Sequence, residues 1–234
     1  MYILGVNWEQ NSTASLFHKD KLLGCVSEER FSRVKNDERY PINAINWLLD
    51  SNNIKSENIQ KVVFVSKIWS PGYILTRHYT NFSVKDYIYE QHKIWKPRLY
   101  ENKNVSQLDI FKNRIDYEQY PGRDFWEKVV DALEGDSAHV SSKNSLDLGQ
   151  EIRRNVVVSH LGINKKDILF VDHSSSHACY AYYSIPKEQR SNNKLVLTLD
   201  AFGDNVNYSA RIFKNLNGNI EEKLLCSGND FIIG

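Results

Sequence analysis

The stretch ILGVNWEQNSTASLF (residues 3–17) contains two short apolar segments on either side of the polar turn Glu9-Gln10-Asn11. This pattern predicts two β-strands, Tyr2 to Trp8 and Thr13 to His18. A second polar turn follows, and a third strand is predicted from Lys21 to Ser27. Three consecutive strands joined by tight turns form a β-meander.

A similar pattern returns near the end of the sequence. An apolar strand, 194–199, leads into the polar loop 200–205, and two further strands are predicted at 206–213 and 220–226. Between these last two strands, Asn217-Gly218 favours a tight hairpin turn. Two meanders separated by helices and further strands resemble the layout of the actin-like (ribonuclease H-like) superfamily. We therefore expect an α/β protein with the actin-like ATPase fold, duplicated β-meanders and a helical insertion.

Helices and buried strands are predicted between the two meanders. Pro41 stands at the start of an amphipathic helix that ends near Asn52, a position at which the missing N–H of proline is tolerated. Periodicity and apolar runs predict a strand at 62–65, a helix at 146–161, a strand at 168–171 and a helix at 173–183.

The segment from about 69 to 145 differs from the rest in composition. It is rich in Tyr, Trp, Lys and Asn. Helix-like pieces are predicted at 84–95, 108–115 and 125–133, with Pro71-Gly72 and Pro121-Gly122 as interruptions. We interpret it as a helical insertion, which divides the chain into 1–68 (first meander, helix and strand), 69–145 (insertion) and 146–234 (second helix-and-meander part).

Composition excludes several classes of function. The 30 Lys and Arg residues nearly balance the 29 Asp and Glu residues, so charge gives no reason to expect a nucleic acid or a membrane surface as partner. No apolar run approaches the ~20 residues needed to span a bilayer. The three cysteines show no CxxC spacing, which favours a reducing cytoplasm over a disulfide framework.

The pair His173 and His177 is the sharpest local motif. In a helix, residues four apart share a face, so both imidazoles can point at one metal ion. The alternative is that two histidines fall four apart by coincidence on a solvated helix. A carboxylate, Asp200, follows the apolar strand 194–199 and suits a metal or a metal-bound phosphate, although an ordinary Asp/Gly turn is the alternative. Asp172 is a candidate to orient the first histidine.

A cationic segment, SEERFSRVKND (27–37), follows the first meander. Arg30, Arg33 and Lys35 lie close together in a predicted loop and could clamp a small phosphate. The alternative is a solvated run of charges, in which Glu28, Glu29 and Asp37 of the same segment balance the three cations.

The order of these motifs resembles the O-carbamoyltransferase family, which includes nodulation-factor, cephem and aminoglycoside-antibiotic carbamoyltransferases. The matching segments are ILGVNWEQNSTASLF, SEERFSRVKND followed by YPINAINWLL, FVDHSSSHACYAYYSIP and LVLTLDAFGD. Together they cover most of the chain outside the helical insertion.

The resemblance implies transfer of a carbamoyl group from carbamoyl phosphate to a hydroxyl of a small molecule, with ATP as co-substrate. A carbamoyl-adenylate would form in a separate C-terminal domain, and transfer would occur in the actin-like domain around an iron-type divalent metal, with Zn or Mn as alternatives. His173, His177 and Asp200 are then the expected metal ligands. Lys35 is expected near the substrate with Arg30 and Arg33.

Two departures from the family pattern bear on catalysis. The first meander turn has Glu9 and Gln10 where the family typically shows a His followed by Asp or Asn. Gln cannot take a proton at neutral pH, so Glu9 would have to substitute. Ala201 follows Asp200 where the family favours Gly. These departures motivate a second hypothesis, a catalytically silent member that binds a nucleotide, a metal or a partner protein. A third, an actin-like kinase, fits the two histidines less well.

The sequence also leads us to expect an incomplete enzyme. No segment resembles the adenylate-forming domain, so we expect a further C-terminal region or a companion chain. An uncovered apolar face of the second meander would favour association, including homo-oligomers. The insertion is expected to influence the choice of acceptor.

Overall fold

The computed structural model describes residues 1–103, 105–133, 143–191, 193–216 and 218–230. They form two compact units: unit 1 comprises 1–64 and 68–169, and unit 2 comprises 65–67 and 170–234. The predicted boundary at 145/146 does not coincide with this division, because the helix that begins at Lys143 belongs to unit 1. The predicted turn residue Asn217 and the end of the chain, 231–234, lie outside the described residues.

The first sheet is mixed, with the strand order β3-β2-β1-β4-β5. Strands β1 and β2, and β2 and β3, pair antiparallel, which confirms the first meander, whereas β1 and β4 pair parallel. The strands are β1 (Tyr2–Asn7), β2 (Thr13–His18), β3 (Lys21–Ser27), β4 (Ile59–Phe64) and β5 (Ile168–Phe170).

The second sheet is an antiparallel meander in unit 2, with the order β6-β7-β8. Its strands are β6 (Lys194–Gly203), β7 (Val206–Leu216) and β8 (Asn219–Gly228). Strand β6 is longer than predicted, since 200–203 continue the strand instead of forming a loop. The turn consists of Asp204 and Asn205 alone, both with positive φ (51° and 62°). Two such residues match the twist of a two-residue hairpin.

Nine α-helices are present in the described parts of the chain. They are α1 (Glu29–Ser32), α2 (Ile42–Ser51), α3 (Pro71–His78), α4 (Val84–Glu90), α5 (Lys96–Tyr100), α6 (Gln107–Phe111), α7 (Arg123–Leu133), α8 (Lys143–Leu161) and α9 (His173–Ser184). A π-helical turn joins α4 to α5. None of the helices in the described ranges is both long and apolar enough to cross a bilayer.

The described part of the insertion is helical, as expected, and Pro71-Gly72 marks the beginning of a helix. Pro71 lies at the start of α3, where its missing N–H costs no intrahelical hydrogen bond. The segment after β3 was predicted to be a loop, but it begins with the short helix α1.

Helix α2 covers the first sheet because its apolar residues recur at helical spacing. Ala44, Ile45, Leu48 and Leu49 are buried, and the helix contacts β2 and β3.

In unit 2, α9 packs on the second sheet in the same way. Its Ala178 and Tyr182 form a buried apolar cluster with Val196 and Phe213 of the sheet.

The opposite face of the second sheet is exposed and apolar. Leu195, Leu197 and Leu199 alternate along β6 and are each more than half exposed, whereas Val196 and Thr198 between them are buried. This period of two is that of a strand with one covered face. The uncovered apolar face expected from the sequence is therefore present.

Asp37 anchors the segment after β3. Its carboxylate is fully buried and accepts hydrogen bonds from Arg39 Nε (2.8 Å) and Nη2 (2.6 Å), while its carbonyl accepts the N–H of Ser12 (2.7 Å). Burial alone would raise the pKa of Asp37, but the hydrogen bonds from Arg39 and Ser32 outweigh it and hold the pKa below its ordinary value.

We predict that Asp37→Asn lowers the free energy of unfolding by about 1–3 kcal/mol at neutral pH, because a buried charge-assisted hydrogen bond is lost. A carboxyl whose pKa is lowered by folding stabilises the protein only while it is ionised. The difference between wild type and variant should therefore shrink as the pH falls below about 3.9 and through the folded-state pKa. Urea denaturation across this range measures it, and a pH-independent difference would contradict this account.

Candidate metal centre

Helix α9 begins shortly after β5, and its first two turns carry the two histidines of the motif. Asp172 is the N-cap residue: its Oδ1 accepts the N–H of Ser175 (2.8 Å), and its Oδ2 accepts the Ser175 hydroxyl (2.6 Å). This cap defines where the helix starts. His173 and His177 consequently lie one turn apart on the same face.

Asp200 completes a cluster with the two histidines. His173 Nε2 lies 2.8 Å from Asp200 Oδ2 and 2.9 Å from His177 Nε2, and His177 Nε2 lies 3.5 Å from the same carboxylate oxygen. All three residues belong to unit 2. The structure therefore brings together the three predicted metal ligands, with Asp200 on strand β6.

The spacing of these three atoms fits a bound cation. Ligand bonds of ~2.1 Å at angles of ~90–110° would separate neighbouring donor atoms by about 3.0–3.4 Å, close to the separations in the cluster. The side chains are partly exposed, so an ion and a substrate can reach them from solvent. Two imidazoles and one carboxylate can hold a divalent transition metal and leave further coordination positions open.

The β6–β7 turn holds His173 in place. Asp204 Oδ2 accepts the backbone N–H of His173 (2.8 Å) and that of Lys67 (2.8 Å). Gly203 lies against the imidazole, and a Cβ at this position would come within 2.2 Å of His173 Cδ2. The sequence pattern predicted no role for Gly203 or Asp204, although this Gly-Asp pair within the predicted loop 200–205 was a signal.

The predicted role of Asp172, to orient the first histidine, is wrong. Its carboxylate instead caps helix α9 and forms an ion pair. Arg211 Nη2 lies 3.2 Å from Asp172 Oδ1, and Arg211 Nη1 donates to Glu222 Oε1 (2.6 Å). Partial burial raises the pKa of Asp172, but hydrogen bonds from Ser175 and the nearby Arg211 charge lower it more. Arg211, whose side chain is 8% exposed, thereby ties the helix start to the second sheet.

Small hydroxyl side chains complete this buried contact between α9 and the sheet. Ser174 Oγ lies 2.7 Å from Ser209 Oγ, which is also 2.7 Å from Thr198 Oγ1. The Arg211 guanidinium also donates to Ser209 Oγ (3.3 Å) and to Ser174 Oγ (3.4 Å), so the hydroxyls and the charge form one hydrogen-bonded network. The polar face of the first turn of α9 is therefore matched by polar residues on β6 and β7.

Cys179 is close to this network but is unsuited to metal binding. Burial, together with the adjacent Glu222 carboxylate, raises the pKa of its thiol to about 11. A thiol must lose its proton to act as a nucleophile or a metal ligand. Cys179 therefore remains protonated at neutral pH.

The remaining predicted site residues belong to unit 1. Glu9 and Gln10 lie in the β1–β2 turn, where Gln10 is exposed and its carbonyl accepts from Asn7 Nδ2 (3.2 Å). The fully buried Ser12 connects this turn to the cationic segment. Its N–H donates to the Asp37 carbonyl, and its own carbonyl accepts the N–H of Glu28 (2.8 Å).

The three cations of that segment are all exposed. Lys35 Nζ pairs with Glu29 (3.2 Å), and its side chain is 80% exposed, while Arg30 and Arg33 are exposed. Hydrogen bonds from the Asn36 N–H and from Lys35 lower the pKa of Glu29. An anion that binds Lys35 would have to compete with this pair.

Glu28 has a role that sequence analysis missed. Its carboxylate is buried and accepts from the Ala44 N–H (2.9 Å) and from Asn43 Nδ2 (2.6 Å) at the start of α2. Pro41, the N-cap residue, has no side-chain acceptor to offer, so Glu28 caps the helix from outside. Glu28 and Asp37 are thus not part of a solvated charge run.

A family model described as carbamoyltransferase N-terminus matches residues 2–228. The chain belongs to this family. The match includes the His173, His177 and Asp200 cluster and the predicted substrate segment, and it supports carbamoyl transfer in general as the activity of the family.

Individual relatives are more distant. An uncharacterized protein of Methanocaldococcus jannaschii, MJ1051, is 28% identical over 152 residues, which is 62% of this chain and 26% of that protein. Two solved structures are similar to 96% of the chain, with 9% identity and a TM-score of 0.39. They are YeaZ from Pseudomonas aeruginosa and an uncharacterized protein with similarity to peptidase YEAZ, also from Pseudomonas aeruginosa. This chain covers 66% of each of those two chains.

If the cluster binds a metal, the separate variants His173→Ala, His177→Ala and Asp200→Ala should each reduce the metal retained after loading with Fe²⁺, Zn²⁺ or Mn²⁺ and dialysis. Elemental analysis measures the metal content. His92→Ala, which removes an exposed histidine of the insertion, is the control and should retain as much metal as wild type. Equal metal content in all five proteins would exclude the site.

We expect Gly203→Ala to weaken metal binding by about 10- to 100-fold without unfolding the protein, because the added methyl group must displace the His173 ring. Titration with Zn²⁺ gives the affinity. Leu197→Ala, on the solvent-facing side of the same strand, is the matched control. An unchanged affinity in Gly203→Ala would show that the position of the ring is not set by this contact.

Proposed function

We propose that this chain is the N-terminal, metal-binding part of an ATP-dependent O-carbamoyltransferase with an actin-like fold. The observation that carries the proposal is the convergence of His173, His177 and Asp200 in a chain that belongs to the carbamoyltransferase N-terminus family. The actin-like assignment is supported by the two meanders and by the strand order β3-β2-β1-β4-β5.

The proposed reaction begins with carbamoyl phosphate, which is hydrolysed to carbamate and phosphate, and the carbamate oxygen then bonds to the α-phosphorus of ATP to give carbamoyl-adenylate and pyrophosphate in a separate C-terminal domain. In the transfer step, the acceptor hydroxyl oxygen forms a bond to the carbamoyl carbon, and the bond from that carbon to the adenylate oxygen breaks. AMP leaves with the electron pair, and the hydroxyl proton passes to a base.

The three free cysteines favour a reducing, cytoplasmic setting.

The metal ligands in this proposal are the two imidazoles and the Asp200 carboxylate. This donor set suits Fe²⁺ best, with Zn²⁺ and Mn²⁺ as alternatives. When bound, the ion would supply Lewis acidity that favours negative charge on the carbamoyl oxygen. Gly203 and Asp204 would keep His173 in the position that this ligand set requires.

The base and the substrate cations are assigned to unit 1. Glu9 is the residue of the first turn that can accept the hydroxyl proton, since the neighbouring Gln10 has no basic group at neutral pH. Lys35 would exchange its pairing with Glu29 for an anionic substrate group, aided by the exposed Arg30 and Arg33.

A second candidate function is that of a silent family member that binds metal or nucleotide without transferring the carbamoyl group. The observation in its favour is Gln10, which is exposed in the turn where the family typically has a histidine. Ala201, next to Asp200, is the other departure from the family pattern.

Incubation of the complete protein with labelled carbamoyl phosphate, ATP, a divalent metal and a panel of hydroxyl compounds separates the two candidates. We expect label in an acceptor only when ATP and metal are both present. Lys35→Ala should raise the KM for carbamoyl phosphate and leave Tm nearly unchanged, because an exposed cation contributes little to folding. Lys55→Ala, another exposed lysine, is the control.

Two outcomes would contradict this proposal. Metal binding without label transfer to any hydroxyl compound would favour the silent member. A large fall in Tm in Lys35→Ala with an unchanged KM would show that Lys35 has a structural role and does not bind substrate.

A further inference from the structure

The short segment Val65–Lys67 follows β4 and belongs to unit 2, together with the metal cluster. Both of its ends are held beside the start of α9. The carbonyl of Val65 accepts the hydroxyl of Ser176 (3.1 Å), and the N–H of Lys67 donates to Asp204 Oδ2 (2.8 Å). The segment therefore has a fixed position next to the helix that carries both histidines.

Lys67 and His173 share one acceptor atom. Asp204 Oδ2 also accepts the N–H of His173 (2.8 Å), so the two backbone nitrogens are separated by no more than two hydrogen-bond lengths. Lys67 is exposed, and an ammonium group on a flexible four-carbon stem can turn toward groups near its own backbone. A lysine is therefore placed beside the first of the three predicted metal ligands.

The positive charge of Lys67 acts on the residue directly before His173. Partial burial raises the pKa of Asp172, but the hydrogen bonds from Ser175 and the charges of Arg211 and Lys67 outweigh this effect. The Asp172 carboxylate accepts hydrogen bonds from Ser175 and Arg211, so its place in the fold does not depend on Lys67. The ammonium group of Lys67 is thus close to the start of α9 without being required to hold it.

Carboxylates outnumber cations around the cluster. The charged side chains that form or flank the ligand set are four carboxylates and two cations: Asp172, Asp200, Asp204, Glu222, Lys67 and Arg211. This excess of negative charge favours a divalent cation and repels an anion from the metal-free site. A bound divalent cation cancels the excess, and an anion can then approach.

Lys67 is better placed than Arg211 to meet such an anion. The side chain of Arg211 is 8% exposed, and its two terminal nitrogens lie against the carboxylates of Asp172 and Glu222. Lys67, in contrast, is exposed to solvent. Lys67 is therefore the cation of this pair that a ligand can reach.

We propose that Lys67 binds the phosphate group of the adenylate beside the metal cluster during carbamoyl transfer, an inference that rests on the proposed function. In the transfer step, the bond from the carbamoyl carbon to the adenylate oxygen breaks, and negative charge grows on that oxygen. An ammonium group next to the phosphate stabilises this charge. Lys67 thereby assists the departure of AMP, whereas Lys35 belongs to unit 1 and pairs with Glu29.

Calorimetric titration of the full chain, loaded with Mn²⁺, tests this inference with AMP and with adenosine, the matched probe that lacks phosphate. Lys67→Ala removes the ammonium group but keeps the backbone N–H on Asp204, so its metal content and Tm should equal those of wild type. The Kd of AMP should rise about tenfold or more, the effect of losing one charge-assisted hydrogen bond, and Lys67→Arg should restore most of the affinity. Adenosine should bind wild type and Lys67→Ala alike.

Mn²⁺ also reports where AMP binds, because its unpaired electrons broaden the phosphorus NMR signal of a nearby phosphate. The broadening should be strong in wild type and should be lost in His173→Ala, which lacks one of the predicted ligands. Lys187→Ala is the control for a missing surface charge, since Lys187 is an exposed lysine of unit 2 beyond the far end of α9. It should bind AMP as wild type does.

Several results would overturn the inference: an unchanged Kd of AMP in Lys67→Ala, a failure of AMP to bind the Mn²⁺-loaded wild type, or an equal loss of AMP and adenosine binding. Loss of Mn²⁺ from Lys67→Ala would also overturn it, because Lys67 would then act in metal binding. A wild type that retains no Mn²⁺ would contradict the proposed function as well. Lys67-dependent AMP binding without transfer of labelled carbamoyl groups would contradict the proposed function alone.

Discussion

The attachment of helix α9 to the second sheet is the interaction on which the metal cluster depends. Two carboxylates hold the start of this helix: Asp172 caps it from within, and Asp204 accepts the His173 N–H from the neighbouring hairpin. Arg211 links the cap to the sheet from a position with little solvent exposure. Hydrogen bonds of this kind are strong because one partner is charged and because carboxylates are favoured at helix N-termini. They place both imidazoles beside a carboxylate on strand β6.

Unit 1 uses a related arrangement at the start of α2. Glu28 caps that helix from the segment after β3, and Asp37 fixes the end of the same segment through Arg39. Ser12 then joins the β1–β2 turn to both acidic residues through its backbone. In each unit, therefore, a carboxylate fixes a helix start close to a residue with a proposed role; that of Glu28 in unit 1 is buried, whereas those of Asp172 and Asp204 in unit 2 are partly exposed. The acidic residues of SEERFSRVKND serve structure, while its cations remain exposed.

The residues that hold the helix starts differ from those assigned to metal and substrate, and this difference is consistent with the proposed chemistry. The carboxylates that hold the helix starts are already hydrogen-bonded within the fold, and those of Glu28 and Asp37 are also buried, so a substrate does not compete for them. The residues assigned to metal and substrate are partly or fully exposed and can change partners. Gly203 is the exception among the supporting residues, because it acts through the absence of a side chain.

Local pattern was sufficient to predict the two meanders, the start of α2 near Pro41 and the shared helix face of His173 and His177, since strand alternation and helical spacing depend on neighbouring residues, whereas Asp200 was added to the pair by the family resemblance. It could not predict that β6 continues past Asp200, that Asp172 pairs with Arg211, or that Glu28 and Asp37 are buried. Those features depend on partners far away in sequence, such as Asp172 and Arg211, which are 39 residues apart. The hydrogen bond from Arg39 to Gln119 likewise exists only because the insertion folds back onto the segment after β3. Burial and hydrogen-bond partners are properties of tertiary packing, and the sequence of one segment does not contain them.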